Sequence, residues 1–393
     1  MSRKRRSGAA VVPSSGSLNG PGRTRRRDCE GTISGYVLKL IRESVGHTQE
    51  SLSRELHVDP QTVQGWESSR RPLTATRSGA LVDLRRRLRA LGAEPDLLES
   101  LNHAMEADFL LSYALSADPE EIQPDDHPLA RWVLPRAVSE MLAWPFNGQA
   151  PERTRGRLCA THRRGPVADG PVVSPADRTA FFEHFRAVAE RSLRRSDLMG
   201  TEALLLRRQA YYQLARARDP AVSGWLDSVE REEVRRLPRT FDRWAPSWVA
   251  ARSLAVARCR CGDRDALREF IARGFESDEC QRANLHYWAY WFGEAGPTAH
   301  ADEFMTSATP PGTSERLARR LEEQLVPGNP CLDLYAHSLW ALLKRHNGDL
   351  LTRDGDLRYR LAQRAPVLLD SADLSSQSRA ELGEVWGYLQ WLR

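Results

Sequence analysis

The chain has 393 residues, with 57 Lys or Arg against 52 Asp or Glu, and a formal charge of +5 at pH 7. This length is more than one hydrophobic core usually serves, so two or three domains are expected. The sequence has neither the ~18 uninterrupted apolar residues of a membrane span nor the apolar run of a secretory signal, so we expect a cytoplasmic protein. Its six scattered cysteines do not form a disulfide framework, in agreement with a reducing compartment.

The positive charge is concentrated at the N-terminus. Residues 1–27 hold eight basic side chains and no acidic one, which leaves 49 basic residues against 52 acidic residues in the remainder. Ser, Gly and Pro separate two Arg clusters without any helical or strand period, so residues 1–28 are predicted to be a disordered basic arm. Such an arm indicates a partner that carries phosphates, either nucleic acid or an anionic surface, and the alternative is a solvated tail.

Five short helices are predicted within residues 29–117. Apolar residues recur there at helical spacing, and they include Ile33, Val37, Leu38, Ile41, Val45, Leu52, Leu56, Val63, Trp66, Leu81, Leu84, Leu88, Leu91, Leu97, Leu98, Leu101 and Met105. Loops of about two to five residues between such helices imply a compact antiparallel bundle. The leucines of the fourth helix are interpreted as bundle core or, in a dimer, as an interface, and most of its arginines as solvated.

Residues 38–71 contain two helix starts in close succession. Thr48 is predicted to cap one helix, and Asp59 followed by Pro60 opens the next after a turn at His57. Because this turn is short, the two helices must cross steeply. The second helix then directs mainly amides and small residues outward, namely Gln61, Thr62, Gln64 and Gly65. A face of this kind can approach base edges in a major groove.

This segment resembles the helix-turn-helix of the XRE family, which includes Cro and the phage repressors. The resemblance runs from Ile33 to about Leu91 and is carried by Arg42, Glu43, Gly46, Thr48, Gln49, Glu50, Leu52, Leu56, Val63, Trp66 and Glu67. It implies a lambda-repressor-like bundle in which Glu67 pairs with Arg42 of the first helix. The sequence departs from the family at His57, where Gly is common, and at Gly65, which has no side chain for a position that commonly reads bases.

The resemblance also implies a set of DNA contacts. Gln61, Thr62 and Gln64 would read bases, and Gln49 would contact a phosphate or reach into the groove. A Gln amide donates to and accepts from adenine at once, and such a pair discriminates by about 1–3 kcal/mol. The full candidate set is Gln49, Pro60, Gln61, Thr62, Gln64, Arg70 and Arg71, with Arg77 beside it as a further phosphate contact. The alternative is that these residues only face solvent.

Residues 118–175 are rich in Pro and Gly and are predicted to be a linker. Its one apolar island, from Trp132 to Phe146, is a candidate to fold onto a neighbouring part of the chain. Helical periodicity returns in residues 176–393, which are predicted to form an α-solenoid or a TPR-like array, with an irregular bundle as the alternative. The predicted helices span 176–195, 198–218, 221–236, 247–261, 264–273, 278–294, 313–325, 332–347 and 378–391. Their predicted caps are Ser174, Ser196, Ser247, Asp263, Ser277 and Ser378.

One of these helices concentrates large aromatic side chains, namely Tyr287, Trp288, Trp291 and Phe292. They indicate packed core or a groove for a ligand or peptide. This helix and the overall arrangement resemble large XRE-type regulators of actinobacteria such as the WhiJ-like developmental proteins, which implies a helical domain that senses a ligand or binds a partner such as a small protein. Cys259, Cys261, Cys280 and His286 lack the spacing of a zinc knuckle and are interpreted as core residues, so no metal and no cofactor is expected.

Together these patterns predict an all-α, sequence-specific transcriptional regulator that binds double-stranded DNA. It would be a nucleoid-associated homodimer with a C-terminal half that senses a small protein, a peptide or a ligand. The alternative is a protein-interaction scaffold or antitoxin-like protein whose helix-turn-helix does not select promoters. The sequence has no phosphate-binding loop, hydrolase elbow or metalloprotease pair, so no enzymatic activity is expected.

Overall fold

The computed structural model describes residues 29–158, 168–194, 201–217, 220–233, 241–294, 299–307 and 313–392. These residues form α-helices, short 3-10 turns and loops, and no strand occurs in the described ranges. The all-α prediction is confirmed. The predicted basic arm and the predicted cap at Ser196 lie outside the described residues.

The five predicted N-terminal helices are all present. They are α1 (Thr32–Ser44), α2 (Gln49–Leu56), α3 (Pro60–Glu67), α4 (Ser78–Ala90) and α5 (Pro95–Ser116). Leu84 and Leu88 of α4 are buried in the same core as the apolar residues of α1 and α5, while Leu81 and Leu91 pack at its edge. The leucines of α4 therefore belong to the bundle core.

A carboxylate from α5 caps the start of α1. Asp108 is fully buried and accepts hydrogen bonds from the backbone N of Ile33 at 2.9 Å and of Ser34 at 2.8 Å. The first N–H groups of a helix have no partner within it and carry partial positive charge, so a carboxylate satisfies and stabilises them. Because α5 also packs against later helices, this contact ties α1 to the rest of the chain.

The region predicted as a linker is largely folded where it is described. It contains α6 (Arg136–Asn147) and α7 (Glu152–Leu158), preceded by the 3-10 turns Pro124–Asp126 and Pro128–Ala130. Val138, Leu142 and Trp144 of α6 are buried in the core shared with α1. The structure thus differs from the linker prediction over residues 124–158. Several of the prolines that suggested a linker stand at helix or turn starts, where a missing N–H costs little.

All nine predicted C-terminal helices are present within a few residues of their predicted bounds, with two more over residues 349–370. They are α8 (Pro175–Arg194), α9 (Thr201–Ala217), α10 (Pro220–Glu233), α11 (Pro246–Arg260), α12 (Arg264–Gly274), α13 (Asp278–Trp291), α14 (Ser314–Glu323), α15 (Leu332–Arg345), α16 (Asp349–Arg353), α17 (Gly355–Asp370) and α18 (Ser376–Trp391). A regular solenoid stays a prediction, as do the domain boundaries.

Three of the predicted C-terminal caps are confirmed. Ser174, Asp263 and Ser277 accept hydrogen bonds from backbone N–H groups in the first turns of α8, α12 and α13. Two other predictions are wrong. Helix α11 begins at Pro246 without a side-chain cap, so Ser247 lies inside it, and Ser375 rather than Ser378 caps α18.

A buried histidine pair joins three segments of the chain. Nε2 of His127 lies 3.1 Å from Nε2 of His184 in α8, and the ring of Tyr113 in α5 packs edge-on against both. Burial, together with the charge of His184, lowers the pKa of His127 to about 3, and burial lowers the pKa of His184 to about 4. Both imidazoles are therefore neutral at pH 7.

This pair predicts a loss of stability in mild acid. Below about pH 6.5 the unfolded chain takes up protons on both histidines while the folded chain does not, so stability is full above that pH and declines as pH falls towards 4. Between pH 7.5 and 5.0 we expect the free energy of unfolding to drop by about 2 kcal/mol for each histidine. Urea unfolding at both pH values measures this drop, which should largely vanish when His127→Asn is combined with His184→Asn. An equal drop in that variant contradicts the prediction.

Candidate nucleic-acid interface

The starts of α2 and α3 are fixed by side-chain caps. Thr48 Oγ1 accepts from the backbone N of Ser51 at 3.0 Å, and Ser51 Oγ accepts from the backbone N of Thr48 at 2.9 Å, which completes a capping box. Asp59 accepts from the backbone N of Gln61 at 2.7 Å, and Pro60 is the first residue of α3. The predicted caps at Thr48 and Asp59 are confirmed.

The turn between these helices uses a left-handed residue. His57 has φ 54° and ψ 43°, a conformation that costs a non-glycine residue some stability. The chain passes from one helix to the next within three residues, and Leu52, Leu56 and Val63 from the two helices are buried in the same core. His57 therefore occupies the conformation expected of the Gly that is common at this position.

A buried network holds α3 against α1 and α2. Arg42 donates from Nε to Glu67 Oε1 at 2.6 Å and from Nη2 to Glu67 Oε2 at 3.1 Å, and its Nη1 donates to the carbonyl of His47 at 2.8 Å. The two charged side chains are only 10% and 5% exposed. The pairing of Arg42 with Glu67 that the family resemblance implies is confirmed, and it serves the scaffold.

Gln49 joins the same network. Its Nε2 donates to Glu67 Oε2 at 2.7 Å, so the start of α2 is tied to the end of α3. The sequence predicts that Gln49 reaches a phosphate or the groove. In the structure one of its donor groups is engaged with Glu67, and a contact with DNA stays a prediction.

The outward face of α3 carries the predicted amides. Pro60, Gln61 and Gln64 are exposed, and Thr62 is half-exposed. Residues three apart on a helix lie on one face, so the two Gln side chains extend from the same side of α3. The outward placement of Gln61 and Gln64 agrees with the sequence analysis.

Gly65 differs from its prediction, because it is buried. A Cβ added there would lie 3.2 Å from side-chain carbons of Arg71, which covers this part of α3. The guanidinium of Arg71 also donates to Thr62 Oγ1 at 3.3 Å. Gly65 therefore makes room for the Arg71 side chain and does not belong to the outward face.

Exposed arginines follow the end of α3. Arg70, Arg71 and Arg77 are all exposed, and among the described residues none of them pairs with a carboxylate. By contrast, Arg87 of α4 pairs with Asp83 at 2.8 Å. The guanidinium groups beside α3 are thus available for phosphates, which set register rather than sequence preference.

Two helices cross at a short turn and are held by an internal ion pair, and the second presents outward amides beside exposed arginines. Together these features define a helix-turn-helix motif. Residues 38–84 match a protein-family model described as helix-turn-helix. This match supports a DNA-binding regulator of XRE type. Comparisons with curated proteins and with solved structures gave no match. No helix within the described ranges has both the length and the apolar character needed to cross a membrane.

The aromatic residues of the C-terminal half are core. Tyr287, Trp288 and Trp291 of α13, and Phe292 that follows it, are all buried. Tyr287, Trp288 and Trp291 also line a small cavity. Cys259 Sγ donates to the carbonyl of Pro330 at 2.9 Å. Across the described ranges, no three His, Cys, Asp or Glu side chains are grouped to hold a metal.

Proposed function

We propose that the protein is a sequence-specific transcriptional regulator that binds double-stranded DNA as a homodimer. The observation that carries this proposal is the exposure of Gln61 and Gln64 on a helix that the buried Arg42–Glu67 ion pair holds in place. A rigidly held helix with outward amides can enter a major groove and form bidentate hydrogen bonds with adenine. Arg70 and Arg71 would hold the phosphates on either side.

The dimer is proposed because helix-turn-helix proteins of this kind commonly bind two half-sites related by symmetry, about 34–36 Å apart. Residues 1–28 would add backbone or minor-groove contacts next to each half-site, since arms of this composition bind phosphates. Association with the nucleoid would follow. A kinship with actinobacterial WhiJ-like regulators is part of the proposal and draws on the aromatic character of α13. We assign the chain no catalytic activity.

We further propose that the C-terminal helical half senses a ligand or a protein partner. It comprises more than half of the chain, and its net charge does not suit it to coat DNA, because the basic surplus of the sequence lies in residues 1–27. A surface that does not face DNA is free for another partner. Sensing would alter DNA binding through the core that this half shares with the helix-turn-helix.

Enrichment of sheared genomic DNA by the purified full-length protein tests the DNA-binding proposal. We expect one palindromic sequence to be enriched over the genomic background. Combining Gln61→Ala with Gln64→Ala should weaken binding to that sequence by about tenfold to a hundredfold per residue, because each Gln–adenine pair is worth about 1–3 kcal/mol, and should leave non-specific binding unchanged.

Gln390→Ala is the matched control, since Gln390 is also exposed but lies at the end of α18. This variant should enrich the same sequence as the wild type. Uniform, weak binding to all fragments by the wild type would overturn the proposal and favour an interaction scaffold.

A further inference from the structure

A small cavity lies among four helices of the C-terminal half. Its volume is about 30 Å³, and its walls come from α9, α11, α13 and the start of α15, with Val133, Leu134 and Ser139 completing the lining. Polar and charged groups at its surface include Arg208, Arg252, Arg260, Tyr212 and Tyr335. A volume of about 10–15 Å³ holds one water, so this cavity has room for about two, or for a group of about three heavy atoms.

Two arginines at this cavity lack a carboxylate partner. Arg252 is 3% exposed; its Nε donates to Asn284 Oδ1 at 3.0 Å, and its buried Nη2 has no hydrogen-bond partner among the described residues. Arg260 is partly buried, and its Nε is likewise buried without a partner in the described part of the chain. No Asp or Glu of the described residues lies within ion-pair distance of either guanidinium.

Neighbouring buried arginines are paired, which makes these two exceptional. Arg207 lies 3.1 Å from Glu233, Arg216 lies 2.9 Å from Glu140, and Arg208 forms a close ion pair with Asp302. Burial of an unpaired charge is costly, and proteins normally compensate it with a counter-charge. The guanidinium of Arg252 gains some compensation from the rings of Tyr287 and Trp288, whose centroids lie 4.3 and 4.8 Å away.

We propose that this cavity binds the carboxylate group of a small organic acid between Arg252 and Arg260. The planar fork of a guanidinium matches a carboxylate, and the size of the cavity suits a group of three heavy atoms. The aromatic rings of α13 exclude water around the ion pair, which strengthens it. Arg260, on the cavity wall, is partly exposed. The idea that this acid is the ligand of a sensor rests on the proposed regulatory function. Binding of the acid itself does not require DNA.

One internal group competes for the role of counter-ion. Cys331 lines the same cavity, and a hydrogen bond with Cys259 together with the charges of Arg260 and Arg252 lowers the pKa of its thiol to about 6. A thiolate there would neutralise one positive charge. Two unpaired guanidinium groups would still leave one charge for an external anion.

Titration of the full-length protein with sodium acetate, at constant ionic strength and without DNA, tests the site. We expect saturable binding by calorimetry and a matching rise in Tm. Arg252→Met should weaken acetate binding by at least about tenfold, because charged hydrogen bonds are lost. The Tm of the unliganded variant reports whether it is folded, because Arg252 also donates to Asn284 and contacts the rings of Tyr287 and Trp288. Arg260→Met provides an independent second variant.

Arg273→Met is the control, since Arg273 lies on the surface of α12 and pairs there with Glu269 at 2.7 Å. This variant should bind acetate as the wild type does. Saturation by inorganic phosphate without saturation by acetate would overturn the carboxylate assignment. Binding of acetate to Cys331→Ser but not to the wild type would show that the thiolate supplies the counter-charge, which also overturns the proposal. DNA enrichment, measured separately, reports on the regulatory function alone.

Discussion

Replacement of Glu67 by alanine is expected to lower the free energy of unfolding by about 3–5 kcal/mol, because it leaves the guanidinium of Arg42 buried without its counter-charge. The Gln49 amide loses its acceptor in the same step. Since the network joins α1, α2 and α3, the orientation of α3 should be lost along with the stability. Specific DNA binding should therefore fall even at temperatures where most of the protein is folded.

The matched control for this prediction is Arg54→Ala. Arg54 pairs with Glu50 at 2.6 Å within α2, but the two side chains are 71% and 68% exposed. An exposed pair contributes at most about 1 kcal/mol, so this variant should unfold at nearly the same urea concentration as the wild type. Equal effects of Glu67→Ala and Arg54→Ala on the urea midpoint would contradict the structural role of the buried pair.

Gly35→Ala is expected to displace α3. Gly35 lies in α1 where a Cβ would stand 2.4 Å from the backbone carbonyl of Trp66, and a backbone atom cannot move aside as a side chain can. Overpacking of this kind costs about 1–3 kcal/mol or more. Because the strain separates α1 from the end of α3, affinity for the specific DNA sequence should fall together with the free energy of unfolding.

Gly79→Ala is the control, because it makes the same glycine-to-alanine change in a helix at a position without a close contact. Gly79 is exposed in the first turn of α4, and nothing lies within 4 Å of an added Cβ. Alanine is favoured over glycine in helices by up to about 1 kcal/mol, so this variant should be at least as stable as the wild type. Thermal unfolding and DNA titration of both variants make the comparison, and a Gly35→Ala protein with wild-type stability and affinity would refute the close contact.

Local features of the sequence predicted the helix-turn-helix well. The spacing of apolar residues marks each of the first five helices, and the caps at Thr48 and Asp59 set where two of them start, because both signals act over only a few residues. The pairing of Arg42 with Glu67 came from the family resemblance, since 25 residues separate the two along the chain.

Features that depend on distant contacts were missed. Gly65 was expected on the outward face, and only the path of the Arg71 side chain shows why it is buried. The capping of α1 by Asp108 joins residues 75 positions apart, for which no local pattern exists. Arg252 and Arg260 were not recognised as candidate binding residues, because arginine is abundant throughout the chain. The two arginines lie eight residues apart on α11, with Val256 midway between them. Because residues spaced by four share one face of a helix, this spacing predicts that both arginines lie on the same side of α11.

The packing of α5 determines whether the helix-turn-helix part of the chain can be separated from the rest. Helix-turn-helix domains are often treated as portable units, yet here α5 contacts α1 on one side and α6 and α8 on the other, within one continuous apolar core. A fragment cut after residue 117 would uncover the apolar surface of α5 that those later helices cover. Mutations in the helices that pack on α5 are therefore expected to change DNA affinity without contacting DNA.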